Sequence, residues 1–183
     1  MLLIYLASWM ALVLAESDPT KVCLPDQIQA YMYTVETDAT SLAVMDFTKK
    51  IIASFTGNAS IVEDLANKTS YITDATGSCF SSPLLANSVF PQCLPATAVK
   101  LGDIYIGLDT SSLPLQTWQY PIDRGVLKVA FSNQPNELRH PVLTRYSDGH
   151  SITVSTFFFN VTTTITKPEL LNIPDLCPPK VIV

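Results

Sequence analysis

Four cysteines, Cys23, Cys79, Cys93 and Cys177, are the residues of this chain whose type most directly does chemistry. Zinc sites take cysteines as close pairs, and no such pair occurs here. The even count and wide spacing predict two disulfides, with three connectivities open. Asn58-Ala59-Ser60, Asn67-Lys68-Thr69 and Asn160-Val161-Thr162 each read as an acceptor for N-linked glycosylation, a modification of the secretory pathway. Asp148-Gly149-His150-Ser151, with His140 nearby, holds the residue types of a hydrolase. A triad, however, gathers its members from separate places around a nucleophile on a strained turn, and no Gly-x-Ser-x-Gly elbow exists. We read this stretch as a polar turn and Glu63-Asp64 as a solvated face, and assign no catalytic residue. No linear calcium loop occurs. Asp103, Asp109 and Asp123 are oxygen ligands by type, but ordinary loop and strand-edge acids are expected there. The residues themselves predict no cofactor.

These groups must be positioned by strands. Apolar, β-branched runs of strand length recur between turn signals: Gln29 to Val35, Leu42 to Phe47, Ile51 to Phe55, Tyr71 to Thr73, Ile104 to Leu108, Leu115 to Tyr120, Val126 to Phe131 and Ser151 to Phe157. In the last, alternation puts Ile152, Val154 and Thr156 on one buried face. Only Ala59 to Ala66 has helical spacing. Many short strands without crossover helices predict an all-β, mostly antiparallel fold. The proline-rich end, from Pro168 onward, should lie extended over the body, pinned by Cys177.

Met1 to Ala15 is an apolar run without a charged side chain, ending in Val13-Leu14-Ala15. It is shorter than the roughly 20 residues that cross a bilayer, and reads as a signal peptide cut after Ala15, leaving residues 16–183 as one domain. A secreted, extracellular protein is expected, one that does not span the membrane. With 16 acidic against 11 basic residues and no basic cluster, nucleic acid is not an expected partner.

Four stretches resemble the ependymin-related family of secreted glycoproteins. They are Val22-Cys23-Leu24-Pro25-Asp26-Gln27, Cys79-Phe80-Ser81-Ser82-Pro83-Leu84, Trp118 at a strand tryptophan, and Ile165 to Cys177 with the preceding Phe158-Phe159-Asn160. Arg139-His140-Pro141-Val142 stands where the family has Cys-x-Pro-Val, and Lys167 and Leu171 replace its Asp and Phe, marking a divergent member. The resemblance implies a Cys79–Cys177 bridge. Because the family partner of the opening cysteine is missing, it leaves Cys23 to Cys93.

The fold so implied is two stacked antiparallel sheets curled around a deep apolar pocket, similar to bacterial lipoprotein carriers and often dimeric. Its ligand would be a lipid or another hydrophobic molecule, held without catalysis. The expected pocket residues are Trp118, Ile104, Ile106, Leu127, Val129, Ile152, Val154 and Phe158. The resemblance also implies calcium as a bound ion, with no ligand residue assigned. A second function class stays open: a matrix or cell-adhesion glycoprotein with a packed interior, acting through its surface and sugars.

Overall fold

The computed structural model describes residues 18–84, 90–108, 112–123, 125–134, 137–150, 153–174 and 177–178. The proposed signal peptide therefore lies outside the described residues. Eleven strands follow one another: β1 (Gln27–Thr34), β2 (Ala39–Asp46), β3 (Ile51–Thr56), β4 (Ala59–Asp64), β5 (Thr69–Thr73), β6 (Cys79–Pro83), β7 (Val99–Ile106), β8 (Leu113–Ile122), β9 (Gly125–Ser132), β10 (Pro141–Ser147) and β11 (Thr153–Thr162). Short 3-10 turns at Pro19–Lys21, Val35–Thr37 and Pro168–Leu171 complete the described elements. Ala59 to Ala66, read as helical by its spacing, is mostly strand β4. Its neighbours decide this, since Val62 sits between Ala53 and Tyr71 on paired strands.

The all-β, antiparallel class holds, but the expected pair of stacked sheets is one open sheet ordered β6-β5-β4-β3-β2-β1-β11-β10-β9-β8-β7. The reason is the pairing of β1. Strands β1–β6 form one meander and β7–β11 another, and β1 bonds both β2 and β11, joining the two edge to edge.

Local sequence makes the meanders. The β3–β4 connection is the two-residue loop Gly57-Asn58, in which Gly57 takes the left-handed φ of 58° that such hairpins need. The β2–β3 and β4–β5 loops repeat one device, an aspartate at the strand end that accepts from the loop. Asp46 accepts from Thr48 Oγ1 at 2.6 Å and Lys49 N at 2.9 Å. Asp64 accepts from Ala66 N at 3.0 Å, Asn67 N at 2.9 Å and Asn67 Nδ2 at 2.6 Å. Asp64 is buried, so the expected solvated acidic face is instead a turn clamp.

Alternation gives the sheet two unlike faces. One carries Ile28, Ala30, Ala43, Met45, Ile52, Trp118, Tyr120, Val129 and Phe131, packed with Val22, Leu24, Leu94 and Ala98 from the covering segments. Those segments are tied by the Cys23–Cys93 disulfide and by Leu24 N to Gln92 O and Leu94 N to Val22 O bonds. On the opposite face Val44, Ala53 and Val62 are covered by Leu171, with Ile165, Leu170 and Ile173 packed around it. The tail thus lies extended over the body, held by the Cys79–Cys177 disulfide.

Candidate functional site

Beyond the tail, a groove of about 200 Å³ runs over the second face at β7–β10, where Ile104 and Ile106 stay exposed. Leu101, Ile104, Thr117, Lys128, Ala130, Leu143 and Arg145 line it, with Val129 at its floor. Register explains the hollow. Gly102 pairs Thr117, Thr117 pairs Ala130 and Ala130 pairs Leu143, so a row of small residues is flanked by larger apolar ones. A bulge in β7 between Lys100 and Gly102 ends beside Thr117, whose Oγ1 donates to Gly102 O at 2.7 Å.

A second hollow of about 170 Å³, lined by Val126, Lys128, Arg145 and Ser147, adjoins the first. Lys128 and Arg145 border both and are register partners, so two cations stand where the apolar groove turns polar. Neither is in an ion pair among the described residues. Arg145 acts on Glu36 through its charge. The Glu36 carboxylate accepts from Ser155 N at 2.7 Å, and that bond, helped by the charge of Arg145, holds it below the usual carboxylate range.

Of the expected pocket residues, Ile104 lines the groove, and Ile106 is exposed farther along the same strand face. Val129 borders the groove at its floor, while its side chain packs on the tryptophan face with Trp118. Leu127 and Phe158 also pack against that tryptophan-face core, and Val154 pairs with Tyr146 on the same side. One continuous lining is therefore corrected to residues on two faces. Ile104 pairs Leu115 and Val129 pairs Trp118; three positions apart on one strand, Leu115 and Trp118 point opposite ways. Trp118 is 1% exposed and donates from Nε1 to Gln116 Oε1 at 3.1 Å, a core residue and no groove wall. Ile152 lies outside the described residues. Lys128, Arg145, Thr117 and Ala130 were missed. The available signal was Lys128 within Val126-Leu127-Lys128-Val129-Ala130-Phe131, a charge that marks the outward face of an otherwise apolar strand.

Asn58 and Asn67 sit in exposed hairpin loops at opposite ends of β4, and Asn160 is exposed within β11. His150 lies in an exposed turn. His140 Nδ1 is 3.0 Å from Ser132 Oγ, but Ser132 is 1% exposed and its hydroxyl also accepts from His140 N. A nucleophile must reach substrate, so we read this pair as a clamp on the β9–β10 connection. Asp103 pairs with Lys100 at 3.1 Å, Asp109 lies outside the described residues, and no cluster of three or more metal-ligating side chains occurs among those described. No helix among the described residues is long and apolar enough to cross a membrane.

No protein-family model and no curated protein matches the chain. Its fold is similar to the crystal structure of an uncharacterized conserved protein from Thermus thermophilus, with a TM-score of 0.56 and 11% identity over 88% of this chain and 94% of that one. At that identity the likeness speaks for the fold alone.

Proposed function

We propose that the chain is a secreted, glycosylated binding protein for an amphiphilic lipid, its apolar part lying along the β7–β10 groove and an acidic end meeting Lys128 and Arg145. The observation that carries this reading is an apolar hollow ending on two cations that form no ion pair among the described residues. Burying apolar ligand surface supplies about 25 cal/mol per Å², and a carboxylate or phosphate at the cations fixes orientation. Two disulfides suit an oxidising compartment. The ependymin-related resemblance agrees with a lipid ligand, though the groove proposed here lies on one face of a sheet rather than between two.

The test is to secrete the protein from a eukaryotic cell, purify it without detergent, extract it with solvent and identify the extract by mass spectrometry. Binding of a fluorescent long-chain fatty acid is then measured for the wild type, Leu143→Asp and Lys128→Glu. Co-purified lipid and at least about tenfold weaker binding in each variant, or 1.4 kcal/mol, are expected. An empty protein that ignores added lipid sinks the reading and leaves adhesion through surface and sugars.

A further inference from the structure

The two hollows beside Lys128 and Arg145 differ in kind. The larger presents almost wholly apolar surface although both cations line it, so their aliphatic stems wall it and their charged ends lie elsewhere. The smaller is part polar, with Ser147 among its walls, and is the place left for those charges. Both cations are exposed, at paired positions of β9 and β10.

Shape limits what the larger hollow can take. Strand β8 contributes one residue to its lining, Thr117, whose hydroxyl is already engaged with Gly102 O at 2.7 Å. The next residues on that face of the strand, Leu115 and Gln119, stand about 13 Å apart, and their own bulk narrows the gap to the width of one chain. The path from Arg145 on β10 to Ile104 on β7 crosses three strand spacings, about 14 Å, the length of an extended chain of about twelve carbons. It ends without a wall: β7 is the last strand of the sheet, and Ile104 is 42% exposed there.

We propose that this site selects an amphiphile with a single acyl chain. Its anionic group sits in the smaller hollow beside Lys128 and Arg145, and its chain crosses β9, β8 and β7 to the sheet edge. This rests on the reading that the groove binds an amphiphilic lipid, and adds the number of chains and the length that counts. A second chain finds no room at Thr117. Carbons past Ile104 leave the sheet and gain little, so a longer chain is tolerated rather than favoured. Charge names the occupant, since a purely apolar one would leave both cations unmet.

The experiment titrates the full secreted chain, stripped of lipid on a hydrophobic resin, with straight-chain carboxylates below their micelle concentrations in a calorimeter. Affinity should rise about two- to fourfold per methylene from octanoate to dodecanoate, then change less than about threefold through octadecanoate. A larger rise beyond dodecanoate overturns the length, whereas no binding by any carboxylate overturns the lipid reading itself. 2-Octyldecanoate hangs two eight-carbon arms on one carboxylate and should bind no tighter than decanoate. A gain beyond about threefold means room for a second chain and overturns the proposal.

The course of the chain is read from Ile104→Asp, at an exposed edge position. It should cut the dodecanoate-to-octanoate affinity ratio at least about fivefold, because only the longer chain reaches β7. Ile104→Ser repeats the test should the charge disturb the strand. A wild-type ratio in both variants overturns the placement of the chain's end at β7.

Discussion

Two carboxylates on the sheet answer pH in opposite directions. Burial raises the pKa of Asp46, but bonds from Thr48, Lys49 and Gln27 outweigh it and bring the group below its usual 3.8. Its folded pKa is thus under its unfolded one, so it contributes stability above about pH 4 that is lost as pH falls through the folded value. Glu63 has no such donors, and burial alone holds its carboxyl above the usual range. Its ionised form opposes folding at neutral pH, and that cost disappears as pH falls through the raised value. Urea midpoints between about pH 3 and pH 8 should therefore show Asp46→Asn less stable at neutrality with a flatter acid limb, and Glu63→Gln more stable at neutrality with a gain that vanishes in acid. Tyr120 is a third case. It is 2% exposed and its hydroxyl has no hydrogen-bond partner among the described residues, so Tyr120→Phe should stabilise the fold by about 1 kcal/mol, read from the same midpoints. A loss would mean that the hydroxyl has a partner.

At the scale of elements, the C-terminal tail is the piece with the least secondary structure and the most to cover. Leu171 is 3% exposed against Val44, Ala53 and Val62, yet the tail's described backbone makes one short 3-10 turn at Pro168–Leu171. Its attachment rests on side-chain packing, on hydrogen bonds from Ser81 N to Pro178 O at 2.8 Å and from Thr166 N to Gln29 Oε1 at 3.0 Å, and on a disulfide closing 98 residues. Loop closure of that length is worth about 4 to 5 kcal/mol in the chain-entropy model. Cys177→Ser should lower stability by most of that and expose the β2–β4 face, seen as faster hydrogen exchange in β2 and β3 than in β8 and β9. Uniform acceleration across all strands would mean that the tail is not a separate layer. Eight of the eleven strands were legible from apolar, β-branched runs, whereas β6 (Cys79–Pro83) and β10 (Pro141–Ser147), polar in part and with Pro at one end, were not assigned. Ala59–Asp64 was not legible either, because Ile61, Val62 and Leu65 match a helical face and only pairing with β3 and β5 settles the period.

For the whole molecule, the two faces of one sheet divide the labour. The tryptophan face supplies the core, and the other face is covered by the tail at one side and carries the groove at the other. A ligand beside the exposed Ile104 meets solvent, so its attraction to Lys128 and Arg145 is screened by salt. Fatty-acid affinity should fall as salt rises toward about 1 M, and should fall less in Lys128→Glu. Affinity indifferent to salt in both would remove the cations from recognition and leave the apolar hollow alone.

The sequence by itself determined the antiparallel β class and the extended tail, because strand-length apolar runs and proline are local properties. It also narrowed the cysteines to two bridges, since their spacing excludes a close metal pair. What only the tertiary structure decided was which strands share an edge and which residues share a face. Pairing of β1 with β11 turned two expected sheets into one, and three positions along β8 separated Ile104 from Val129. The groove arises where Gly102, Thr117, Ala130 and Leu143, distant in sequence, fall into one row across the strands. Register is a property of pairs of strands, and no single stretch of sequence contains it.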